Sequence, residues 1–326
     1  MREITYVKAI VEAFDEELNR DPNVFIMGED IGQYWGGSVG EFQGLFDKYG
    51  PERIRETPIS ETAIMGAAIG AAAIGMRPIA NIMFADFLGV PMDEILNQLT
   101  KMRYMFGGKI TLPVTIVALS GGGVSAAAHH SKNMEGLLMS IPGLKIASPA
   151  TPYDAKGLLK SAIRDDNPVI YFMRTALLLG GIKGEVPEEE YTIPLGKAAI
   201  AREGSDVTVV AIGSMLHKAL AAASKLQEKD ISAEVIDPRT IEPLDEQAIM
   251  DSVKKTGRLV IIDEEPEKGS VASEIAAVVA EKGFDFLDAP IKRVCAPNTT
   301  IPFSPVLENF WIPSEERLIK AIEEIM

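Results

Sequence analysis

Cysteine is almost absent from this chain. Cys295 is the single thiol in 326 residues, so no intrachain disulfide can form, and a reducing compartment, the cytoplasm, is the expected setting. Positive charge is in deficit, with 32 Lys and Arg against 47 Asp and Glu, a net charge of −15. That balance excludes nucleic acid and anionic membranes as natural partners and leaves room for a basic protein partner. Long apolar runs are missing. The longest, Ala63–Met76, has 14 residues, too few to span a bilayer. The N-terminus, Met1-Arg2-Glu3-Ile4-Thr5, has no apolar core and does not read as a secretory signal. Histidine is scarce too, at three residues, and no Walker A sequence occurs.

What is present is a regular alternation of short apolar runs with helical patterns. Apolar residues at helical spacing (Val7, Ile10, Val11, Phe14, Leu18) predict a helix over residues 5–20, with Glu12, Asp15, Glu16 and Glu17 on an acidic face. Buried strands are predicted at Val24–Gly28, Pro78–Met83, Val114–Leu119, Leu144–Ala147 and Val169–Phe172. Helices at 62–75, 91–105 and 153–164 separate them. This is the pattern of a parallel sheet covered by helices on both faces. Gly, Pro and the acidic run Glu188-Glu189-Glu190 then interrupt it. The alternation resumes with strands at 207–212, 233–236 and 258–262 and helices at 214–228, 245–254, 270–281 and 314–325. The expected division is an α/β domain over residues 1–180, a linker over 181–203 and a smaller α/β domain over 204–326.

Three places could carry chemistry. Glu61 follows Thr57-Pro58-Ile59-Ser60 and opens a helix of very small residues, with Ser60 as the expected N-cap. Small neighbours let another backbone or a planar ligand come close, so this carboxyl is expected to be desolvated and suited to donating a hydrogen bond. His129-His130 follows the Gly-rich stretch Ser120–Ser125 at the C-terminal end of a predicted strand, where α/β proteins bind ligands; one of the pair is a candidate acid/base group. Gly121-Gly122-Gly123 could also approach a phosphate. His217 sits within a helical pattern and reads as structural. Gly36-Gly37-Ser38-Val39-Gly40 has the G-x-S-x-G spacing of a hydrolase elbow but lacks the preceding strand.

Several motifs fall in one order: Thr57-Pro58-Ile59-Ser60-Glu61, Gly75-Met76-Arg77-Pro78, Ala128-His129-His130-Ser131, Ile141-Pro142-Gly143-Leu144-Lys145 and Ile163-Arg164-Asp165-Asp166-Asn167-Pro168. With these the chain resembles, almost end to end, the β subunit of the thiamine-diphosphate-dependent E1 component of 2-oxoacid dehydrogenase complexes. Trp35-Gly36-Gly37, Asp86-Phe87-Leu88-Gly89-Val90 and Arg103–Lys109 lean toward the acetoin dehydrogenase branch. The resemblance implies a transketolase-like pyrimidine-binding domain followed by a transketolase C-terminal-like domain. It implies that Glu61 hydrogen-bonds N1′ of the cofactor's aminopyrimidine, that Phe87 stacks on that ring and that Met83 touches it. It matches His130, before Ser131, to the family's active-site histidine; His129 stands where many relatives carry Gln or Tyr. Glu29, at the end of the first predicted strand, could join Glu61 in an acidic proton path. Ala162, Asp165 and Asn167 match the surroundings of a potassium site, although a helix C-cap also explains Asn167. No Gly-Asp-Gly motif occurs. The diphosphate and its Mg²⁺ are therefore expected on a separate α chain, in an α₂β₂ assembly, and the C-terminal domain is expected to dock a lipoyl-bearing E2 acyltransferase. The expected reaction is acetoin cleavage with acetyl transfer to lipoyl-E2. Cleavage of pyruvate or a branched 2-oxoacid is the near alternative, and a non-catalytic scaffold the remote one.

Overall fold

The computed structural model describes residues 1–326. Its first eight strands are β1 (Arg2–Thr5), β2 (Val24–Gly28), β3 (Ile54–Glu56), β4 (Arg77–Phe84), β5 (Thr115–Ser120), β6 (Lys145–Ala147), β7 (Val169–Arg174) and β8 (Lys183–Val186). Six more follow: β9 (Ala199–Arg202), β10 (Val207–Ala211), β11 (Ala233–Asp237), β12 (Thr240–Glu242), β13 (Leu259–Pro266) and β14 (Lys292–Ala296). The larger sheet has the order β12-β6-β7-β5-β4-β2-β3 and is parallel except for β12. The smaller has the order β14-β13-β10-β11-β9 and is parallel except for β9.

Every residue of β2, β5 and β7 is buried, as continuous apolar runs require when helices cover both faces of a sheet. On one face the helices Tyr6–Arg20 and Pro152–Arg164 pack together around Phe14, Leu18, Leu158 and Tyr171. On the other lies the small-residue helix Glu61–Ala73. Its core continues into the second domain through Ile212, Ile236 and Val271.

Four features depart from the sequence reading. The expected linker holds two strands, β8 and β9; β8 pairs with β1, whose only fully buried residue is Ile4. β12 belongs by sequence to the second domain yet extends the first domain's sheet. The expected helix over 91–105 is a π-helical segment, Glu94–Leu99, followed by a short turn of helix, Met102–Met105. The acidic face of the first helix is not a free solvated face. Glu17 is fully buried against Arg20 and Arg164, and Glu12 and Glu16 pair with the buried ammonium groups of Lys156 and Lys160.

The domain junction holds a second acidic group that sequence spacing does not reveal. Asp237, at the end of β11, is buried beside Asp154; one of its oxygens accepts from the Arg239 N–H at 2.8 Å and the other has no partner. Burial, and then the charge of Asp154, push its carboxyl up to about 8 against the pull of Arg239 and Arg174. A raised carboxyl favours the folded state while protonated, so this contribution is whole below about pH 4 and is lost as pH climbs toward 8. Asp237→Asn, which resembles the protonated acid, is expected to match wild type in urea unfolding only at about pH 4 and to gain on it as pH rises. At pH 8.5 it should be more stable by about 1 kcal/mol or more. Equal stability of the two proteins at both pH values would contradict the assignment.

Candidate active site

All the candidate catalytic side chains collect along one edge, the C-terminal ends of β2, β3, β4 and β5. β2 ends at Gly28, where a Cβ would lie 2.7 Å from Asn81, and delivers Glu29. Glu29 is 8% exposed, and one of its carboxylate oxygens is buried without a hydrogen-bond partner. Burial, and next the charge of Glu61, raise its carboxyl above the ordinary range, while the backbone N–H of Ser60 pulls the other way. The two acids foreseen as a pair are therefore electrostatic neighbours. β3 leads through Thr57–Ser60 into the helix that starts at Glu61, as expected, so the carboxylate sits in the first turn, where the helix dipole favours it.

Two details at Glu61 correct the sequence reading. Ser60 does not cap the helix through its side chain: its hydroxyl donates to the carbonyl of Pro58 at 3.0 Å. Nor does this chain desolvate Glu61, which is only half-buried. The helix behind it explains why. Thr62, Ala63, Gly66, Ala67 and Gly70 form an exposed face, and nothing lies within 4 Å of an ideal Cβ at Gly66 or Gly70. Ile59 and Ile74, flanking that helix, are 81% and 82% exposed.

At the end of β4 the pairing with β5 shifts register between Asn81 and Phe84, and Met83 adopts φ of +53°. The buried Asn81 carboxamide accepts from the Met83 N–H at 3.2 Å and supports this turn. A long unbranched side chain in the left-handed region is uncommon and costs about 1 kcal/mol or more, so the turn is imposed by its surroundings. It places Met83, Phe84 and Phe87 at the sheet edge.

His130 is half-buried against both aromatic rings, with centroids 4.4 Å from Phe84 and 5.4 Å from Phe87, in edge-to-face geometry. Asp86 secures the approach: its carboxylate accepts from the Lys132 N–H at 3.1 Å, tying the loop of His130 to the turn of Phe87. His129 is exposed and faces a different space, an interdomain cavity of about 620 Å³ lined also by Lys132, Asn298, Thr300 and Trp311. Phe84 is a site residue that sequence reasoning missed; the only signal was an aromatic one step beyond a predicted strand end. His217 donates from Nε2 to the Ala150 carbonyl at 2.8 Å, consistent with a structural role. Ser38 lies exposed in a turn whose N–H groups bond Glu41.

The residues matched to a potassium site do come together, but their oxygens are already engaged. The Asp165 carboxylate pairs with Lys145 and accepts from Asn167, the Asp165 carbonyl accepts from Arg77 at 3.1 Å, and Arg103 donates to the Asn167 side chain at 2.6 Å. Three protein cations around one small trio leave a poor fit for a further cation, and no step below depends on one. No group of three His, Cys, Asp or Glu side chains in the chain is placed to hold a metal. No helix is long and apolar enough to cross a membrane.

An acid at a helix start and aromatic side chains thus stand at the C-terminal ends of adjacent strands of one sheet. Glu29 with its unpartnered oxygen, the forced turn at Met83 and the half-buried Phe87 fit the pyrimidine end of thiamine diphosphate. Comparison with known proteins agrees. Residues 2–179 match the family described as "Transketolase, pyrimidine binding domain" and residues 196–318 that described as "Transketolase, C-terminal domain". The β subunit of an acetoin:2,6-dichlorophenolindophenol oxidoreductase from Bacillus subtilis (strain 168) is 49% identical over 336 residues, covering 100% of this chain and 98% of the relative. The 2-oxoisovalerate dehydrogenase subunit beta of the same organism is 43% identical, covering 100% and 99%. A solved structure titled "Split gene transketolase, inactive beta4 tetramer" superimposes with a TM-score of 0.80 at 26% identity, covering 99% of this chain and 98% of that one. The chain thus belongs to the transketolase-like family of E1 β subunits from thiamine-diphosphate-dependent acetoin and 2-oxoacid dehydrogenase complexes.

Proposed function

We propose that this chain is the β half of an α₂β₂ E1 enzyme that cleaves acetoin and passes the acetyl unit to a lipoyl group on an E2 partner. The observation that carries the reading is that two neighbouring acids, Glu29 and Glu61, and two neighbouring rings, Phe87 and His130, all follow the C-terminal ends of adjacent strands β3, β2, β4 and β5. When bound, thiamine diphosphate supplies the nucleophilic carbon that attacks a substrate carbonyl. The residues of this chain prepare that event. Glu61 holds a proton at N1′ of the aminopyrimidine, and an α chain covering the exposed helix face supplies the desolvation that favours a protonated carboxyl. Glu29, buried beside it, adds a second acid through which that proton can be exchanged. Phe87 and Met83 bracket the ring. His130, held edge-on by Phe84 and Phe87, orients the substrate oxygen or the incoming lipoyl group and moves a proton there.

Mg²⁺ and the diphosphate fall to the α chain in this reading, since no Gly-Asp-Gly motif is present. The preference for acetoin rests on the Trp35-Gly36-Gly37 and Asp86–Val90 stretches and on the greater identity to the acetoin relative, 49% against 43%. The net charge of −15 suits docking to a basic binding domain of the E2 chain. The test is dye reduction by the chain co-purified with its α partner, thiamine diphosphate and Mg²⁺, using acetoin, pyruvate and a branched 2-oxoacid in parallel. Acetoin is expected to give at least tenfold the kcat/KM of either oxoacid. A tenfold preference for an oxoacid would move the substrate assignment to that acid.

A further inference from the structure

The Gly-rich loop that leaves β5 is not free to cradle a phosphate. Alternate residues Gly121, Gly123, Ser125 and Ala127 have positive φ, at 86°, 96°, 55° and 62°. Alternation of this kind turns successive backbone N–H groups inward and makes a concavity that binds anions. Here the anions come from the second domain. Glu264, in β13, accepts from the Gly122 N–H at 2.5 Å and from the Ser214 hydroxyl at 2.8 Å. Glu308, in the helix Pro305–Trp311, accepts from the Gly123 N–H through one oxygen and from the Ser125 N–H through the other, each at 2.9 Å, and from the Ser125 hydroxyl at 3.1 Å. Both acids are nearly inaccessible, at 3% and 2% exposure. The fit leaves little room: a Cβ at Gly122 would lie 2.5 Å from Ile301, and one at Gly121 would lie 3.2 Å from Glu264.

The same loop carries His130. Its far end is tied by the Lys132 N–H to Asp86, and its base is closed by the Gly121 N–H to the Lys132 carbonyl at 3.5 Å. Ser125 and Ala127 are not glycines, so their left-handed conformations persist only while the surroundings hold them. The carboxylates of the second domain are the groups that hold this stretch.

We infer that Glu308 and Glu264 are positioning residues, through which the C-terminal domain clamps the loop of His130 and fixes its ring against Phe84 and Phe87. This rests on the reading of His130 as an active-site group. The C-terminal domain then has a part in the chemistry beyond assembly and docking. Glu308→Gln keeps the volume but turns an amide NH₂ toward one of the two N–H sites, so one donor meets a donor. Glu308→Asp keeps the charge and falls one methylene short.

The experiment uses the assembled complex with α partner, thiamine diphosphate and Mg²⁺. Two readouts are taken on the same preparations: steady-state dye reduction and hydrogen–deuterium exchange. In Glu308→Gln, kcat is expected to fall by about 10- to 100-fold with KM changed less than threefold, as for a catalytic group displaced by about 1 Å. Exchange over 121–131 should quicken by about tenfold or more, while β10 and β13 stay as protected as in wild type. Glu308→Asp should recover part of both. Unchanged exchange in the loop, a loosened loop with wild-type kcat, or loss of protection across the whole second domain would each overturn the clamp. Failure of the wild-type complex to turn over any of the three substrates would defeat the functional reading instead, and the exchange data would still decide whether Glu308 holds the loop.

Discussion

Glu61→Ala, assembled with a wild-type α partner and saturating cofactor, is expected to retain less than about 1% of wild-type dye reduction. Loss of a positioned proton-holding group costs about 10²- to 10⁴-fold. Here the loss should lie at the upper end, because the carboxyl acts on the cofactor itself and no other acid can reach the same atom from the helix start. Glu29, which feels the charge of Glu61, is buried at the end of β2. Folding should be spared. Glu61 makes no ion pair within the chain, and truncating a half-buried residue in a first helical turn removes only a favourable dipole contact of about 0.3–1 kcal/mol. Activity within threefold of wild type, in a complex shown to be a tetramer, would remove the catalytic reading and leave a scaffold subunit.

The paired change Gly66→Leu with Gly70→Leu is expected to act in opposite directions on the chain and on its assembly. Within the chain nothing lies within 4 Å of an added Cβ at either position. Replacing helical glycine by leucine removes about 0.5–1 kcal/mol of unfavourable backbone entropy at each site. The isolated variant should therefore unfold at an equal or higher urea concentration. Yet the helix Glu61–Ala73 is apolar all round and has one face uncovered, so another subunit must cover it. Small residues at Thr62, Ala63, Gly66, Ala67 and Gly70 allow backbones to approach closely, and two leucines would wedge them apart. Light scattering after gel filtration should show the variant failing to form the tetramer at concentrations at least tenfold above those sufficient for wild type. A normal tetramer would return the stripe to a role inside one subunit, for which the exposed face gives no support.

Much of the site was legible because its residues lie next to local signals. Glu61 follows a turn and opens a helix, His130 follows a Gly-rich strand exit, and Glu29 ends a fully apolar run; each can be placed at a strand's C-terminal end without knowing any partner. Contacts across long separations were not legible. Lys156 and Lys160 look like ordinary helix-surface cations until the helix Tyr6–Arg20 lays Glu12 and Glu16 on them. Glu264 and Glu308 lie about 140 and 185 residues from the glycines they bind, at separations of 142 and 185, and neither stands in a recognisable motif. β12 has three residues and a proline after it, too little periodicity to say which sheet it joins. The surroundings of the potassium trio were not legible either: Arg77, Lys145 and Arg103 reach oxygens of Asp165 and Asn167 from distant elements.

The decisive measurement is the structure of the assembled complex with thiamine diphosphate bound. The aminopyrimidine should lie on the open edge beside β2 and β4, with the Glu61 carboxyl within about 3.2 Å of N1′ and the Phe87 ring against the pyrimidine face. His130 should keep its place between Phe84 and the substrate space. A pyrimidine bound elsewhere, or bound on this edge with Glu61 turned away from N1′, would contradict the assignment of this chain as the pyrimidine half of the site.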